Sequence, residues 1–197
     1  MIKSPYSDCP ENEWQNITEE LVNKFPLLRE EIVRVVMESW SDLYNSSFGQ
    51  GKLIVGQDIF LPAQATGVIL EKLISCRLAK QYPGIWSGGS KKNHKDVVNI
   101  TDGKFSFEIK TSSHPTGVYG NRSTGNRSDK SQKIRTGYYL VVNYLLPTED
   151  TPDKKIRTIR FGWIDDDDWT GQSAASGQQA SIGAKLAKLK LVTLYKN

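Results

Sequence analysis

The stretch DVVNITDGKFSFEIK (residues 96–110) has the clearest strand pattern in this chain, with apolar and polar side chains alternating on either side of a turn. An alternation with a period of two is typical of β-strands, and Asp-Gly between two such runs is typical of a hairpin turn. A two-residue loop at 102–103 would pair Asp96 with Ile109, so that Asp96 would point away from Glu108. A three-residue loop at 101–103, with Gly103 in the left-handed conformation as a bulge, pairs Asp96 with Glu108, and we expect this register.

The two faces of the predicted hairpin differ in chemistry. One face is apolar and should pack against a helix; it carries Val97, Phe105, Phe107 and Ile109. Asp96, Glu108 and Lys110 share the other face. Two carboxylates paired across strands lie roughly 5 Å apart at Cβ and repel each other unless a cation lies between them. Because Mg²⁺ prefers carboxylate, water and phosphate oxygens, the hairpin predicts a magnesium site, with Lys110 placed to hold an attacking water.

Helical and strand patterns surround the hairpin. Apolar residues recur at helical spacing over 27–43 and again over 63–80. Strand patterns follow at 137–146 and 156–164, and the chain ends with a helix that passes into a strand. This order predicts an α/β (α+β) fold with a central mixed sheet of about four or five strands flanked by helices.

The length of 197 residues suits one domain, and a composition with 38% hydrophobic and 24% charged residues is typical of a globular protein. Within a single domain over 1–197 we expect an N-terminal helical part at 1–50, a catalytic core at 60–165 and a long polar loop at 111–136. No apolar stretch is long enough for a membrane helix, and the first residues lack the apolar core of a signal peptide. We therefore expect a cytoplasmic protein with no membrane partner.

Basic charge is concentrated in the middle of the chain. Residues 1–76 carry 6 Lys and Arg against 11 Asp and Glu, and residues 136–197 carry 8 against 7. Residues 77–135 carry 12 against 4, a net charge of +8. A local excess of this size is typical of a face that binds a polyanion, because each neutralised phosphate releases condensed counterions.

The polar segment at 111–136 is too long for an ordinary connection, and loops of that length tend to be functional or disordered. It contains Gly-Asn-Arg-Ser twice, at 120–123 and 125–128. Arginine can grip phosphate or guanine with two hydrogen bonds, and asparagine suits adenine. We therefore expect this segment to contact DNA; a surface loop without a ligand is the alternative.

The remaining motifs, present or absent, give no support to other kinds of functional site. The run Asp165–Asp168 is interpreted as turn chemistry, because four consecutive carboxylates point in different directions and the spacing of a calcium loop is absent. The sequence has no Walker or dinucleotide-binding glycine loop, no GxSxG elbow and no HExxH motif. Redox cofactor chemistry and acyl hydrolysis therefore lose support.

Asp96, followed by Glu108-Ile109-Lys110 on the next predicted strand, resembles the PD-(D/E)XK nuclease signature, with Lys95 in the place of the proline. Further features resemble type II restriction endonucleases of that superfamily, in particular the ScaI-like family. They are a helical pattern of Gln64, Gly67 and Glu71 before the hairpin, the run FEIKTSSH followed by GNRS, and GWIDDDDWTGQ at 162–172. The resemblance covers roughly residues 60–182.

The resemblance implies a restriction-endonuclease-like core that uses Mg²⁺ to hydrolyse double-stranded DNA at a short specific sequence, leaving 5′-phosphate and 3′-hydroxyl ends. Asp96, Glu108 and Ile109 form the expected metal-ligand set. Lys110 is expected to position the water, and Glu71 to act as a third or outer carboxylate, with a boundary salt bridge as its alternative. The expected DNA contacts are Ser112, Ser113, His114, Asn121, Arg122, Ser123, Arg127, Lys130 and Gln172, with Gln178 and Gln179 as further candidates.

Several expectations remain open at this point. A structural or surface role is the alternative for His114. Because one catalytic centre cuts one strand, cutting a palindrome favours a homodimer, with the helical part at 1–50 as a possible interface, although a heterodimer is not excluded. A cognate DNA methyltransferase is expected in the same host. The alternatives in function are a structure-selective or repair nuclease with the same metal site, and a DNA-binding module of this fold that does not cut.

Overall fold

The computed structural model describes residues 3–91, 93–121, 135–172 and 179–197. Within these ranges the α-helices are α1 (Trp14–Asn23), α2 (Arg29–Tyr44), α3 (Ala63–Gln81) and α4 (Ala184–Lys190). None of these described helices is long and apolar enough to cross a membrane.

The strands of the described ranges form two principal sheets and a small hairpin. They are β1 (Ser47–Phe48), β2 (Leu53–Ile54), β3 (Trp86–Gly88), β4 (Val97–Asn99), β5 (Phe107–Ser112), β6 (Tyr119–Asn121), β7 (Gly137–Leu145), β8 (Lys155–Ile164), β9 (Trp169–Gly171), β10 (Gln179–Ile182) and β11 (Leu191–Lys196). The large sheet has the order β11-β8-β7-β5-β4-β3, and the small sheet has the order β6-β10-β9. In the large sheet β5 and β7 are parallel, and its other neighbours are antiparallel.

The predicted fold class is confirmed, because a mixed sheet flanked by helices forms the centre of the described structure. The large sheet has six strands rather than four or five. The extra strand is β3, which has only three residues and is too short to show a period of two.

One face of the large sheet is buried under α1, α2 and α3. The apolar residues expected on one side of the hairpin contribute to this core, where Val97, Phe107 and Ile109 are buried and Phe105 packs against them. Leu70 and Ile74 of α3 are fully buried in the same core. The alternation along the hairpin therefore predicted correctly which of its side chains face the helices.

The opposite face of the large sheet carries Glu108 and Lys110, which lie beside Tyr139 and Val141 of β7. The small sheet and α4 cover this face with a second core of Val118, Tyr139, Val141, Ile164, Trp169, Ala180, Ile182, Ala187 and Leu191. The large-sheet members of that core come from β7, β8 and β11. Glu108 and Lys110 on β5 therefore lie beside the covered area.

The turn between β4 and β5 differs from the prediction. Gly103 does not have a positive φ; it begins a 3-10 helix at Gly103–Phe105. The Asn99 side chain closes the turn, since its Oδ1 accepts hydrogen bonds from the main-chain N of Thr101 at 3.0 Å and of Asp102 at 2.8 Å. An asparagine side chain thus replaces the glycine bulge. The register is nevertheless the expected one, because Val97 pairs with Phe107.

Candidate active site

Asp96 lies at a bend immediately before β4 and reaches across to β5. Its Oδ2 accepts a hydrogen bond from the main-chain N of Ile109 at 2.8 Å. Continuing the pairing of Val97 with Phe107 by one residue places Asp96 opposite Glu108. The register of two short strands therefore brings these two acidic residues together.

Glu108 and Lys110 extend from the same face of β5 and form an ion pair. The Lys110 Nζ donates to Glu108 Oε1 at 2.9 Å, and the side chains are 19% and 7% exposed, respectively. Burial disfavours the charged form of Lys110, but the neighbouring carboxylates, Glu108 foremost, outweigh burial and raise the pKa of its ammonium above the ordinary value. Lys110 is therefore a cation and a hydrogen-bond donor at neutral pH.

Glu71 comes from α3 and meets Asp96 at the edge of this cluster. Burial and then the negative charge of Asp96 raise the pKa of Glu71 to about 7, against the opposing effect of Lys110. The Glu71 carboxyl also forms a hydrogen bond with the side chain of Asp96. At neutral pH these two carboxyl groups therefore compete for a proton, which is the conflict that a divalent cation resolves.

Gly67 sets the distance between α3 and β5. A Cβ atom at this position would collide with Oγ1 of Thr111 and would lie 3.5 Å from the hydroxyl of Tyr144. The glycine therefore lets α3 approach the strand that carries Glu108 and Lys110, one helical turn before Glu71. This contact accounts physically for the glycine in the predicted helical pattern.

The side chains of this cluster suit a hard divalent cation, although the geometry is not that of a preformed cage. Among the described residues no three His, Cys, Asp or Glu side chains converge to hold a metal. Mg²⁺ usually takes one or two protein carboxylates and completes its shell with water and phosphate oxygens, so the touching carboxyls of Glu71 and Asp96 fit that requirement. The side chain of Ile109 is buried in the core, so only its main-chain oxygen could serve as a ligand.

Ser112, Ser113 and His114 follow directly at the end of β5. The Ser112 Oγ accepts from the main-chain N of His114 at 3.0 Å. The His114 Nδ1 accepts from the main-chain N of Thr116 at 3.2 Å and of Gly117 at 2.8 Å. The imidazole therefore organises the turn that follows β5, which is the structural alternative considered for His114, while its ring remains exposed.

The small sheet gathers three carboxamide side chains at one end. Asn121 of β6 pairs with Gln179 of β10. Gln172, which follows β9, donates its main-chain N to the oxygen of Gln179 at 3.2 Å. All three residues are exposed. Sequence reasoning had no means of bringing positions 121, 172 and 179 together, because the pairing of β6 with β10 links distant parts of the chain.

Arg122, Ser123, Arg127, Lys130 and Gln178 lie outside the described residues. Their expected contacts with DNA stay predictions. Lys95, in the place of the signature proline, donates from Nζ to the main-chain oxygen of Arg135 at 3.3 Å.

A second group of acidic side chains surrounds Lys190, whose role the sequence did not reveal. Its Nζ lies 2.8 Å from Asp165 Oδ2 and 2.7 Å from Asp168 Oδ2, and the residue is only 3% exposed. The acidic run forms a 3-10 turn with a capping box, as the turn interpretation expected. Lys190 lies in the repeat AKLAKLK, where nothing distinguishes it from the solvated lysines.

Comparison with known proteins identifies the family of this chain. The profile of the ScaI restriction endonuclease family matches residues 4–195. This chain belongs to that family. It is 35% identical to the type II restriction enzyme ScaI of Streptomyces caespitosus over 195 residues, which cover 98% of this chain and 85% of the relative. It also aligns with a crystal structure of the restriction endonuclease BglI bound to its DNA recognition sequence, at a TM-score of 0.41 and 10% identity, covering 93% of this chain and 88% of the other.

Family membership establishes the reaction. The chain is a type II site-specific endodeoxyribonuclease that binds double-stranded DNA and hydrolyses it. The alternatives of a repair nuclease and of a binding module that does not cut are therefore set aside.

Proposed function

We propose that this restriction endonuclease cuts DNA with Mg²⁺ at the cluster of Glu71, Asp96, Glu108 and Lys110, which we call the β5 site. The observation that carries the proposal is the contact between the carboxyls of Glu71 and Asp96, next to the ion pair on β5. Holding two carboxyl groups together without a cation costs free energy. A magnesium ion bound by these carboxylates would remove that cost and would leave coordination positions for water and a phosphate oxygen of DNA.

The proposed roles follow from the atoms available. Asp96 and Glu108 would hold the metal, with the main-chain oxygen of Ile109 as a further ligand and Glu71 as the third or outer carboxylate. The chemistry that Mg²⁺ would supply there is a lower pKa for a coordinated water and polarisation of the phosphate. Lys110, kept protonated by its carboxylate neighbours, donates to the attacking water and offsets the charge that develops on the phosphate.

The proposed DNA contacts lie on both sides of the turn after β5. Ser112, Ser113 and His114 stand at the end of the strand that carries the β5 site and suit contacts with phosphate. The carboxamides of Asn121, Gln172 and Gln179 suit adenine edges in the major groove. From the sequence, the same function is proposed for Arg122, Ser123, Arg127 and Lys130.

We also propose a homodimer, because one centre cuts one strand and a two-fold dimer matches a palindromic site. The apolar residues of α2, including Val35 and Val36, are buried in the core of this chain. An interface formed by residues 1–50 would therefore use the solvent-facing side of this segment. Two apolar side chains, Leu28 and Phe48, are 74% and 55% exposed there. A cognate DNA methyltransferase in the same host would protect its genome, and both enzymes would act in the cytoplasm, where that DNA lies.

Incubation with phage DNA tests the proposal. The wild type, Asp96→Asn and Lys110→Ala are compared with Mg²⁺ and with a chelator, and the fragment ends are sequenced. We expect the wild type to cut only when Mg²⁺ is present, and every fragment end should carry the same short sequence. Cutting in the presence of the chelator, or undiminished cutting by either variant, would remove the assigned site and metal.

A further inference from the structure

Asn143 is a fully buried polar residue in the otherwise apolar and aromatic strand β7. β7 lies between β5 and β8, and Asn143 is in register with Ser112 on one side and Thr158 on the other. A buried carboxamide costs free energy unless its donors and acceptors are satisfied. The partners of Asn143 therefore show what the residue holds in place.

Every hydrogen-bonding position of the Asn143 side chain is used. Its Nδ2 donates to the main-chain oxygens of His114 at 2.8 Å and Gly117 at 2.9 Å. Its Oδ1 accepts from Thr158 Oγ1 at 3.0 Å and Arg160 Nη2 at 2.9 Å. An amide side chain offers two donors and two acceptor lone pairs, so Asn143 joins β8 to the turn at 114–117 with its full capacity.

The same turn receives further hydrogen bonds. Arg160 Nη2 also donates to the main-chain oxygen of Thr116 at 2.8 Å. His114 and Ser112 bind main-chain amides within the turn, as described above. The turn borders a cleft of about 870 Å³, which His114, Thr116 and Gly117 help to line. Hydrogen bonds from Asn143 and Arg160 therefore hold the turn on the side facing β7 and β8.

The turn at 114–117 is the direct connection between β5 and the small sheet. β5 carries Glu108 and Lys110, and the small sheet carries the carboxamides of Asn121, Gln172 and Gln179. Because the turn is continuous with β5 and β6, we expect its displacement to change where Asn121 and its pairing partner Gln179 lie relative to the β5 site. Displacements of about 1 Å can change an enzymatic rate by about 10²-fold.

We infer that Asn143 is a positioning residue that couples reading of the DNA sequence by the small sheet to cleavage at the β5 site. The inference rests on the proposed DNA contacts of the small sheet. Asn143 touches neither DNA nor the reacting atoms. It holds the turn so that cleavage is fast only when the small sheet is docked on the correct bases.

Asn143→Asp tests this role with almost no change of shape. Aspartate keeps both acceptors for Thr158 and Arg160, but it loses both donors and sets a carboxylate against the oxygens of His114 and Gly117. Thr158→Val is the matched control, because it removes one hydrogen bond of the same side chain and leaves the turn bonded. Arg160→Gln is a second variant, which removes the hydrogen bond to Thr116.

The recognition sequence is first read from the fragment ends that the wild type leaves on phage DNA. Single-turnover cleavage is then measured on a duplex with that sequence and on duplexes with one base pair changed. We expect Asn143→Asp to slow the correct site by about 10²-fold and the changed sites by less than about threefold. The ratio of the two rates should fall at least tenfold, with a smaller fall in the same direction for Arg160→Gln. Thr158→Val should leave the ratio within about threefold of the wild type.

A loss of folded protein lowers both rates by the same factor and leaves their ratio unchanged. An unchanged ratio in Asn143→Asp, or in Arg160→Gln should the first variant not fold, would overturn the coupling role. Failure of the underlying function looks different, because Asn121→Ala, Gln172→Ala and Gln179→Ala would then each leave the ratio of the two rates at the wild-type value. That result would remove the reading role and this inference with it.

Discussion

The described structure contains two clusters in which carboxylates surround a lysine, one at Lys110 and one at Lys190. They differ in how far the lysine balances the negative charge. At the β5 site, Glu71, Asp96 and Glu108 share Lys110, and the pKa of Glu71 rises to about 7. We call the second group the β11 cluster; it is formed by Asp165, Asp168 and Lys190, the last residue of α4, which directly precedes β11. There the lysine contacts both carboxylates and its Nζ also lies 4.4 Å from the ring centre of Tyr6.

The difference shows which cluster is built for a ligand. In the β11 cluster one ammonium contacts both carboxylates, and Ser4 and Trp163 donate further hydrogen bonds to Asp165, so each carboxylate has donors within the chain. At the β5 site three acidic groups surround one ammonium, a formal charge of −2 when all are ionised against −1 for the β11 cluster, and the carboxyls of Glu71 and Asp96 contact each other. Residue types alone therefore do not mark a metal site; the balance of charge does.

Glu108→Gln is expected to have the largest effect, a loss of cleavage of about 10³-fold or more, because it removes a proposed metal ligand and the partner of Lys110. The affinity for DNA should remain or increase, since a negative charge facing phosphate is removed. Single-turnover cleavage and filter binding measure the two quantities. Cleavage at the wild-type rate would place the chemistry elsewhere.

Lys190→Met should break the β11 cluster without touching the chemistry. Removing one partner of a buried ion pair leaves Asp168 charged and buried, and we expect the free energy of unfolding to fall by about 3–5 kcal/mol. Urea denaturation measures this change. Cleavage per folded molecule should stay at the wild-type level, so a variant that is stable but inactive would contradict the separation of the two clusters.

Gly67→Ala should disturb the β5 site from outside. The added methyl group collides with Thr111, so we expect a loss of about 1–3 kcal/mol in stability, despite the higher helix propensity of alanine, and slower cleavage as Glu71 moves from Asp96. The double variant Gly67→Ala/Thr111→Ala should recover both the stability and the rate of cleavage. Thr111→Ala alone is the control. A double variant no better than Gly67→Ala would show that this collision is not the cause.

The pH dependence of stability should reveal the uncompensated charge at Glu71. Its pKa of about 7 in the folded protein lies above the ordinary 4.5, so the folded state binds this proton more tightly than the unfolded state. The resulting stabilisation is complete below pH 4.5 and is lost as the pH rises through 7. Between pH 5 and 8, with a chelator present, the wild type should lose about 1–2 kcal/mol more than Glu71→Gln, allowing for partial screening by solvent. Parallel pH profiles for the two proteins would contradict the assignment.

Much of the fold was predictable because periodicity is a local signal. The alternation along β5 identified which side chains face the helices, and it placed Glu108 and Lys110 on one face. The turn was harder, since Gly103 and Asn99 both suit turns and only the structure shows that the asparagine side chain closes this one.

The parts that sequence reasoning missed depend on contacts between distant segments. Lys190 resembles its solvated neighbours in sequence, yet it is buried because β11 runs beside β8 and the acidic turn follows β8 directly. Asn143 carried a signal, a lone amide in an apolar strand, but its partners at 114–117 and 158–160 are brought together only by the pairing of three strands.

Binding of Mn²⁺ followed by electron paramagnetic resonance, in the absence of DNA, tests the central contrast most directly. The wild type, Asp96→Asn and Asp165→Asn are compared at equal concentrations of folded protein. The account predicts that the wild type and Asp165→Asn bind the ion alike and that Asp96→Asn loses it. Equal binding by Asp96→Asn, or no binding by the wild type, would contradict the assignment of the β5 site as the metal centre.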